Sequence, residues 1–416
     1  MTILVIFVLL LFAYGLVSAW LERTPVTPPI VFTLGGVGAF LAVPSLRDRT
    51  GDPEILLRIA EAGLVLLLFT DASRTDLRVL RSIRSSPMRL LTTGMLSTLL
   101  LGALAALALF PTFSLWEAGI LAAILAPTDA GLGQVVVSSE KVPMRVRQAL
   151  NVEAGLNDGL SVPFLLFFLA LAKSSGEGGR AYLWTFVVEQ LGYGTALGVG
   201  IGLAGGWMLG SAGRRGIVLP AFRQIALVTL PLLCGVASEA VGASMFIAAF
   251  VCGLAVQLGF EKAGEESVEF AEQWGQLFNL FVFYLFGLLV ARAGAGFSVA
   301  SVVYALLSLT AIRMLPVALA LVGTGFDRAT VIFMGWFGPR GLASIVLGLV
   351  YLEGKTHLPG ERTIVLTVMA TVLLSIFAHG LSAKPGIALY AKRIAALGPD
   401  APELDAGVAG KRPPHG

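Results

Sequence analysis

The sequence predicts an all-α membrane protein of about thirteen spanning helices, and three observations carry that prediction. Hydrophobic residues make up 56% of the 416 and charged residues only 13%, about half the share of an ordinary soluble domain. A chain this apolar has too little polar surface to cover a water-soluble body, so lipid must act as its solvent. Apolar runs long enough to cross a bilayer recur along the chain, separated by polar residues or by Pro and Gly. The 49 glycines fit the same class, because membrane helices use Gly for close packing and for functional breaks.

The runs fall at 3–20, 28–45, 55–71, 89–110, 116–138, 149–172, 182–210, 221–239, 242–259, 274–292, 297–323, 329–352 and 362–390. The first, within MTILVIFVLLLFAYGLVSAW, lacks the basic n-region and cleavage site of a signal peptide and reads as a retained membrane helix. The third is the weakest, with Glu61 near one end and Asp71 at the other. The seventh is long enough to predict a tilt, and its GYGTALGVGIGLAGG stretch (192–206) offers small-residue contacts for helix packing. No βαβ unit surrounds those glycines, so they are not a dinucleotide fingerprint. Between the ninth and tenth runs, EKAGEESVEFAEQ (261–273) reads as an acidic amphipathic connector. After Arg393 the tail GPDAPELDAGVAGKRPPHG (398–416) has no periodicity and reads as disordered.

With the N-terminus outside, most Lys and Arg of the connections fall on the cytoplasmic side, where the C-terminus also lies. The cluster Arg74, Arg78, Arg81, Arg84 and Arg89 contributes most, as a topology signal, with lipid binding as the other role open to it. A net charge of +3 is too small to suggest nucleic acid as a partner. Cys234 and Cys252 both lie in apolar stretches and predict no disulfide framework. His357, His379 and His415 are scattered singly and read as packing or surface residues.

Two runs are interrupted at mid-membrane depth. The fifth contains APTDAGLG (126–133) and the twelfth FGPRGLAS (337–344). They stand seven runs apart, as two six-helix units joined by a linker helix would place them. Broken helices at matching places in two halves point to a substrate site between half-helices. Each break also carries a charge, Asp129 or Arg340, that lipid would not accept. An ionisable group at the bilayer centre costs on the order of 3 kcal/mol even on lenient scales, so each needs a partner or a job.

The sixth run adds NVEAGLNDG (151–159). Glu153 and Asn157 share a helix face, and Asp158 is rotated from Asn157 by about 100°. Asp158 can therefore face the fifth-helix break while Glu153 faces elsewhere, with Arg340 as its expected ion-pair partner. Arg313, inside the eleventh run, either snorkels or pairs with a core acid. A buried carboxylate can be contested by a proton and a bare cation, which is the chemistry of an exchanger. Thr128, Asn157, Asp158 and the carbonyls freed at 127–131 offer the oxygen ligands that a hard monovalent cation prefers.

Together, TDAGLG (128–133), NVEAGLNDG (151–159) and GPRGLAS (338–344) resemble the monovalent cation/proton antiporters of the sodium/proton exchanger family, NhaP type. The resemblance implies two inverted six-helix repeats with crossed unwound helices 5 and 12. It implies a homodimer in which a core domain (89–175 and 294–390) moves against a dimerisation domain (1–88 and 176–293), with 391–416 as a cytoplasmic tail. Carried over, Asp158 binds the cation and the proton, Asn157 is its uncharged neighbour, and Thr128 and Asp129 lie at the crossing. Thr128 and Asp158 are the expected ligands of the monovalent cation, and Glu153 pairs with Arg340. Asp71 matches an acidic position in the family's cytoplasmic cavity, with a plain surface charge as the alternative. Many members carry Ser directly after the motif Glu, where this chain has Ala154; water or Ser161 is the substitute.

The resulting expectation is a transporter without enzymatic activity or cofactor, in a bacterial inner membrane, exchanging sodium for protons electroneutrally. Potassium/proton exchange is the alternative within the class. An intramembrane aspartyl protease using Asp129 and Asp158 is the rival from outside it, but a dyad needs two equivalent carboxylates sharing a proton. A passive channel lacks a repeated filter loop.

Overall fold

The computed structural model describes residues 2–44, 46, 53–75, 86–174, 185–260, 263–294, 296–353, 358–398 and 401–404. Within these the chain is helical throughout: α1 (Thr2–Leu21), α2 (Pro28–Ala42), α3 (Pro53–Arg74), α4 (Ser86–Leu109), α5 (Leu115–Ile124), α6 (Ala130–Val137), α7 (Met144–Ser174), α8 (Thr185–Arg214), α9 (Pro220–Val241), α10 (Met245–Gly259), α11 (Ala263–Ala293), α12 (Val299–Ala320), α13 (Arg328–Trp336), α14 (Leu342–Glu353) and α15 (Glu361–Ile394). Eight stretches among the described residues are long and apolar enough to cross a bilayer. Every apolar run of the sequence contains a helix, and the fifth and twelfth runs each contain two, α5–α6 and α13–α14.

Local sequence explains where helices begin. Ser114 and Glu117 form a reciprocal capping box at α5, and Ser244 caps α10. Pro28 and Pro220 open α2 and α9, where a missing N–H costs nothing. Glycine decides how closely helices pack. Along α8, Gly194, Gly198, Gly202, Gly206 and Gly210 form a buried stripe against α10. A Cβ on Gly206 would stand 2.4 Å from the Val256 carbonyl oxygen, so the two backbones touch without intervening side chains. The same device joins α2 to α11, where a Cβ on Gly36 or Gly287 would stand 2.0 Å from the carbonyl oxygen of Tyr284 or Thr33.

Two terminal expectations change. Residues from Ala263 onward belong to α11 itself, so most of the acidic connector is helix continuous with the tenth span. The tail is placed at 401–404 rather than disordered from 398. Glu403 is buried and accepts hydrogen bonds from the Asp327 N–H at 2.6 Å and the Thr330 hydroxyl at 2.9 Å. Arg145 at the start of α7 donates to the Pro402 carbonyl at 2.8 Å. Periodicity cannot reveal a segment held by polar contacts. Residues 405–416, Arg78, Arg81, Arg84, His357 and His415 lie outside the described residues.

Candidate functional site

The two interruptions, at 125–129 and 337–341, cross one another. The Asp129 N–H donates to the Pro339 carbonyl at 2.7 Å, tying one break to the other. The Asp129 carboxylate then accepts from the Leu132 N–H at 2.7 Å and from the Leu342 N–H. Those donors belong to the first turns of α6 and α14, so one carboxylate caps two half-helices. Each such terminus carries unsatisfied N–H groups and a partial positive charge, which a carboxylate offsets. Gly341 makes the approach possible, since a Cβ there would stand 2.1 Å from Asp129 Oδ2.

The opposite ends are satisfied by cations and hydroxyls. Arg340, fully buried, donates from Nη1 to the carbonyls of Ala126 and Pro127, the latter at 2.9 Å. Ser344 donates to the Ile124 carbonyl at 2.8 Å. On the other break, His379 Nε2 lies 2.8 Å from the Trp336 carbonyl. The Arg340 N–H donates to Ser375 Oγ at 2.7 Å, and that hydroxyl lies 3.1 Å from His379 Nδ1. The Trp336 carbonyl can only accept, so His379 donates to it from Nε2, while Nδ1 lies against both the Ser375 hydroxyl and, at 3.0 Å, the Ser375 carbonyl. His379 therefore stabilises the break, a role its solitary place in the sequence did not reveal.

Glu153 pairs with Arg313 rather than with the expected Arg340. Two hydrogen bonds join the guanidinium to the carboxylate, one of them 2.8 Å long, and both side chains are buried. The physical reason is that the carbonyls of the fifth-helix break engage Arg340, while Arg313 of α12 reaches Glu153 through space left by Gly338. A Cβ on Gly338 would stand 2.2 Å from Arg313 Nε. Arg340 remains close enough to interact with both Glu153 and Arg313 through space. Arg313, left undecided by the sequence, is thus the partner of a core acid.

Asp158 differs from the other two core carboxylates. It is 3% exposed, and its Oδ1 has no hydrogen-bond partner among the described residues. Next to it, Asn157 donates from Nδ2 to Thr128 Oγ1 at 2.8 Å, which fixes the amide and leaves Asn157 Oδ1 without a donor among the described residues. The Asp158 oxygen therefore stands ready for a proton or a bare cation and the Asn157 oxygen for a cation or a donor, and leaving either unmatched in a membrane core is costly. Ser161 donates to the Asp158 carbonyl at 2.8 Å. A narrow cavity between α6 and α7, lined by Thr128, Asp129, Asn151, Ala154, Phe337 and Pro339, reaches the fifth-helix break, and Ala154 places a methyl on its wall. Asp71 of α3 adjoins α7 one turn before Asp158: a Cβ on Gly155 would stand 3.3 Å from Asp71 Cβ. Asp71 and Asp129 both act on Asp158 through space. The structure thus gathers Thr128, Asp129, Asn157, Asp158 and Asp71 around one point of α7.

Comparison with known proteins gives the family and the fold. The sodium/hydrogen exchanger transmembrane family model matches residues 3–388. A Na(+)/H(+) antiporter of Schizosaccharomyces pombe is 25% identical over 308 residues, covering 67% of this chain and 65% of that protein. The K(+)/H(+) antiporter NhaP2 of Shewanella baltica is 24% identical over 360 residues, covering 82% of this chain and 60% of that protein. The chain thus spans less than two thirds of the length of these two curated relatives. The fold is that of the sodium proton antiporter MjNhaP1 from Methanocaldococcus jannaschii, with a TM-score of 0.70 at 20% identity over 91% of this chain and 98% of that one.

Proposed function

The chain belongs to the sodium/hydrogen exchanger transmembrane family, and from that premise we propose that it exchanges sodium for protons at Asp158. The observation that carries the reading is the buried Asp158 oxygen that has no hydrogen-bond partner among the described residues. Thr128 orients Asn157, whose own side-chain oxygen is equally open, and the freed carbonyls of the break supply further oxygen ligands. Sodium and a proton compete for the same carboxylate, so one leaves as the other enters. Asp129 caps two helices and Glu153 is held by Arg313, so neither carboxylate exchanges its partner during a cycle. The stoichiometry is therefore one cation for one proton.

The transport cycle requires the Asp158 site to face each side of the membrane in turn. In this reading the core, 89–175 with 294–390, moves against a dimerisation unit, 1–88 with 176–293, in a homodimer. The two inverted six-helix repeats and about thirteen spans belong to the same proposal, as does a bacterial inner membrane. The distribution of Lys and Arg supports an outside N-terminus and a cytoplasmic C-terminus. A curated relative and a solved structure with the same fold are described as sodium antiporters. Potassium is the second reading, favoured by the NhaP2 relative that covers 82% of the chain.

The test is purified protein in liposomes holding an internal pH dye, challenged in turn with sodium, potassium and lithium. Sodium should move protons most strongly. Asp158→Asn should abolish the exchange while the protein still elutes as a folded, monodisperse species. Exchange by Asp158→Asn above about a tenth of wild type would move the site elsewhere.

A further inference from the structure

Helices α11, α14 and α15 enclose a cavity of about 340 Å³ at the end of the bundle where α11 and α14 finish and α15 begins. Two arginines crown it, Arg292 in the last turn of α11 and Arg362 in the first turn of α15. Both are exposed, and neither has an ion-pair or hydrogen-bond partner among the described residues. Glu361 is the one carboxylate among the described residues that line the cavity, so its rim keeps a positive charge. Beneath the arginines the wall is apolar. Val365, Leu366 and Met369 follow Arg362 at helical spacing, which puts Met369 about 10 Å deeper along α15, and Leu289 lies one turn below Arg292. Asp, Glu, Lys and Arg are absent from 273–291 of α11 and from 363–383 of α15. Both arginines therefore stand where an apolar span meets the headgroup layer.

We propose that this cavity is a lipid site, in which an anionic phospholipid sets its phosphate between Arg292 and Arg362 and lays an acyl chain along α15 toward Met369. A guanidinium suits phosphate, whose oxygens accept from its planar fork. Basic pockets between membrane helices hold lipid head groups by the same chemistry. Arginines at helix ends also anchor spans with no fixed lipid, but a bare anchor has no apolar cavity beneath it. A transported cation is a poor occupant, because the two guanidiniums repel it at the mouth and the wall below offers only hydrocarbon. The place of the cavity gives the lipid a role. Helix α11 belongs to the proposed dimerisation unit, and α14 and α15 belong to the proposed core. Leu366 on the cavity wall packs at the connection between the two, where a Cβ on Gly296 would stand 3.7 Å away. A lipid touching all three helices holds the arrangement seen here and stabilises it by linkage. The site does not depend on the sodium/proton reading, and it is tested without transport.

In the experiment, purified, delipidated protein in a neutral detergent is unfolded by heat with one of three additions: phosphatidylglycerol, phosphatidylcholine of the same chains, or glycerol 3-phosphate. Phosphatidylglycerol should raise the melting temperature about 3 °C or more above phosphatidylcholine, and glycerol 3-phosphate should leave it at the value in detergent alone. Arg292→Gln/Arg362→Gln should lose most of that difference. Arg214→Gln/Arg215→Gln, which removes two charges at the end of α8, should keep it. Met369→Trp, which retains both arginines and fills the deep end of the cavity, should lose it as well. Should Arg292→Gln/Arg362→Gln fail to fold, Arg362→Gln alone and Met369→Trp decide. Equal shifts from the two phospholipids, or a difference that survives Arg292→Gln/Arg362→Gln, overturn the lipid site. A full shift from glycerol 3-phosphate, or a difference that survives Met369→Trp, overturns it in favour of a surface anion site that holds no chain.

Discussion

Replacing Arg313 with Ala should destabilise the protein more than any other single change in the core, and the identity of the rescuing substitution tests the pairing. Glu153 is 2% exposed and Arg313 3%, and two hydrogen bonds join them. Removing one member of a buried pair leaves an uncompensated charge, a penalty of about 3–5 kcal/mol. A second change, Glu153→Gln, replaces that charge with a neutral amide whose unmet hydrogen bonds cost roughly 1–3 kcal/mol. The double variant should therefore recover about 2 kcal/mol of what Arg313→Ala loses. Arg340→Ala is the control, because it strands the Ala126 and Pro127 carbonyls rather than a carboxylate. Glu153→Gln should not rescue it. Thermal unfolding followed by fluorescence-detected size exclusion ranks wild type and the four variants in one experiment. Rescue of Arg340→Ala but not of Arg313→Ala would refute the pairing and restore Arg340 as the partner of Glu153.

Two further outcomes follow from contacts in the core and at its rim. Gly341→Ala should abolish exchange and lower thermal stability, since the new Cβ would stand 2.1 Å from Asp129 Oδ2 and push that carboxylate off the first turns of α6 and α14. Wild-type transport by Gly341→Ala would show that the crossing tolerates displacement. At the rim, a hydrogen bond from Arg393 holds the Asp327 carboxyl below its ordinary value, aided by the Ala329 N–H that Asp327 caps. A carboxyl depressed in the folded state stabilises above its unfolded value, and that contribution fades as pH falls through the folded one. The difference in melting temperature between wild type and Arg393→Ala should thus be present at neutral pH and vanish in acid below the carboxylate range. A difference that persists in acid would assign the contact to packing.

Much of the architecture was legible because membranes enforce simple rules. An apolar run must become a helix, and Pro with Gly beside a charge must be a break, so α5–α6 and α13–α14 could be placed from APTDAGLG and FGPRGLAS. The α8 glycines likewise announce the stripe that meets α10. What the sequence withheld was the choice of partner. Glu153 has two buried arginines within electrostatic reach, and helix periodicity alone does not say which one the break carbonyls engage. His379 reads from sequence as a packing or surface residue because a single histidine in an apolar helix carries no pattern. Its value lies in the Trp336 carbonyl that the twelfth-helix break exposes to it. Glu403 was lost in the same way, its partners Asp327 and Thr330 lying more than 70 residues away along the chain.

The central claim is that one carboxylate, Asp158, carries both ligands in turn, and the charge moved per cycle tests it most directly. Asn157 is an amide, Asp129 caps two helices, Glu153 is held by Arg313 and Asp71 lies a turn away on α3, so the change of occupancy is proposed for Asp158 alone. A membrane potential is worth about 2.3 kcal/mol per net charge per 100 mV, and it should do no work on a one-for-one cycle. Liposomes loaded with a pH dye can be given a sodium gradient together with a potassium/valinomycin potential of either sign. The rate and end point of proton movement should be the same for both signs. A proton gradient that follows the potential would contradict the one-carboxylate mechanism and make Asp71, Asp129 or Glu153 a second proton carrier.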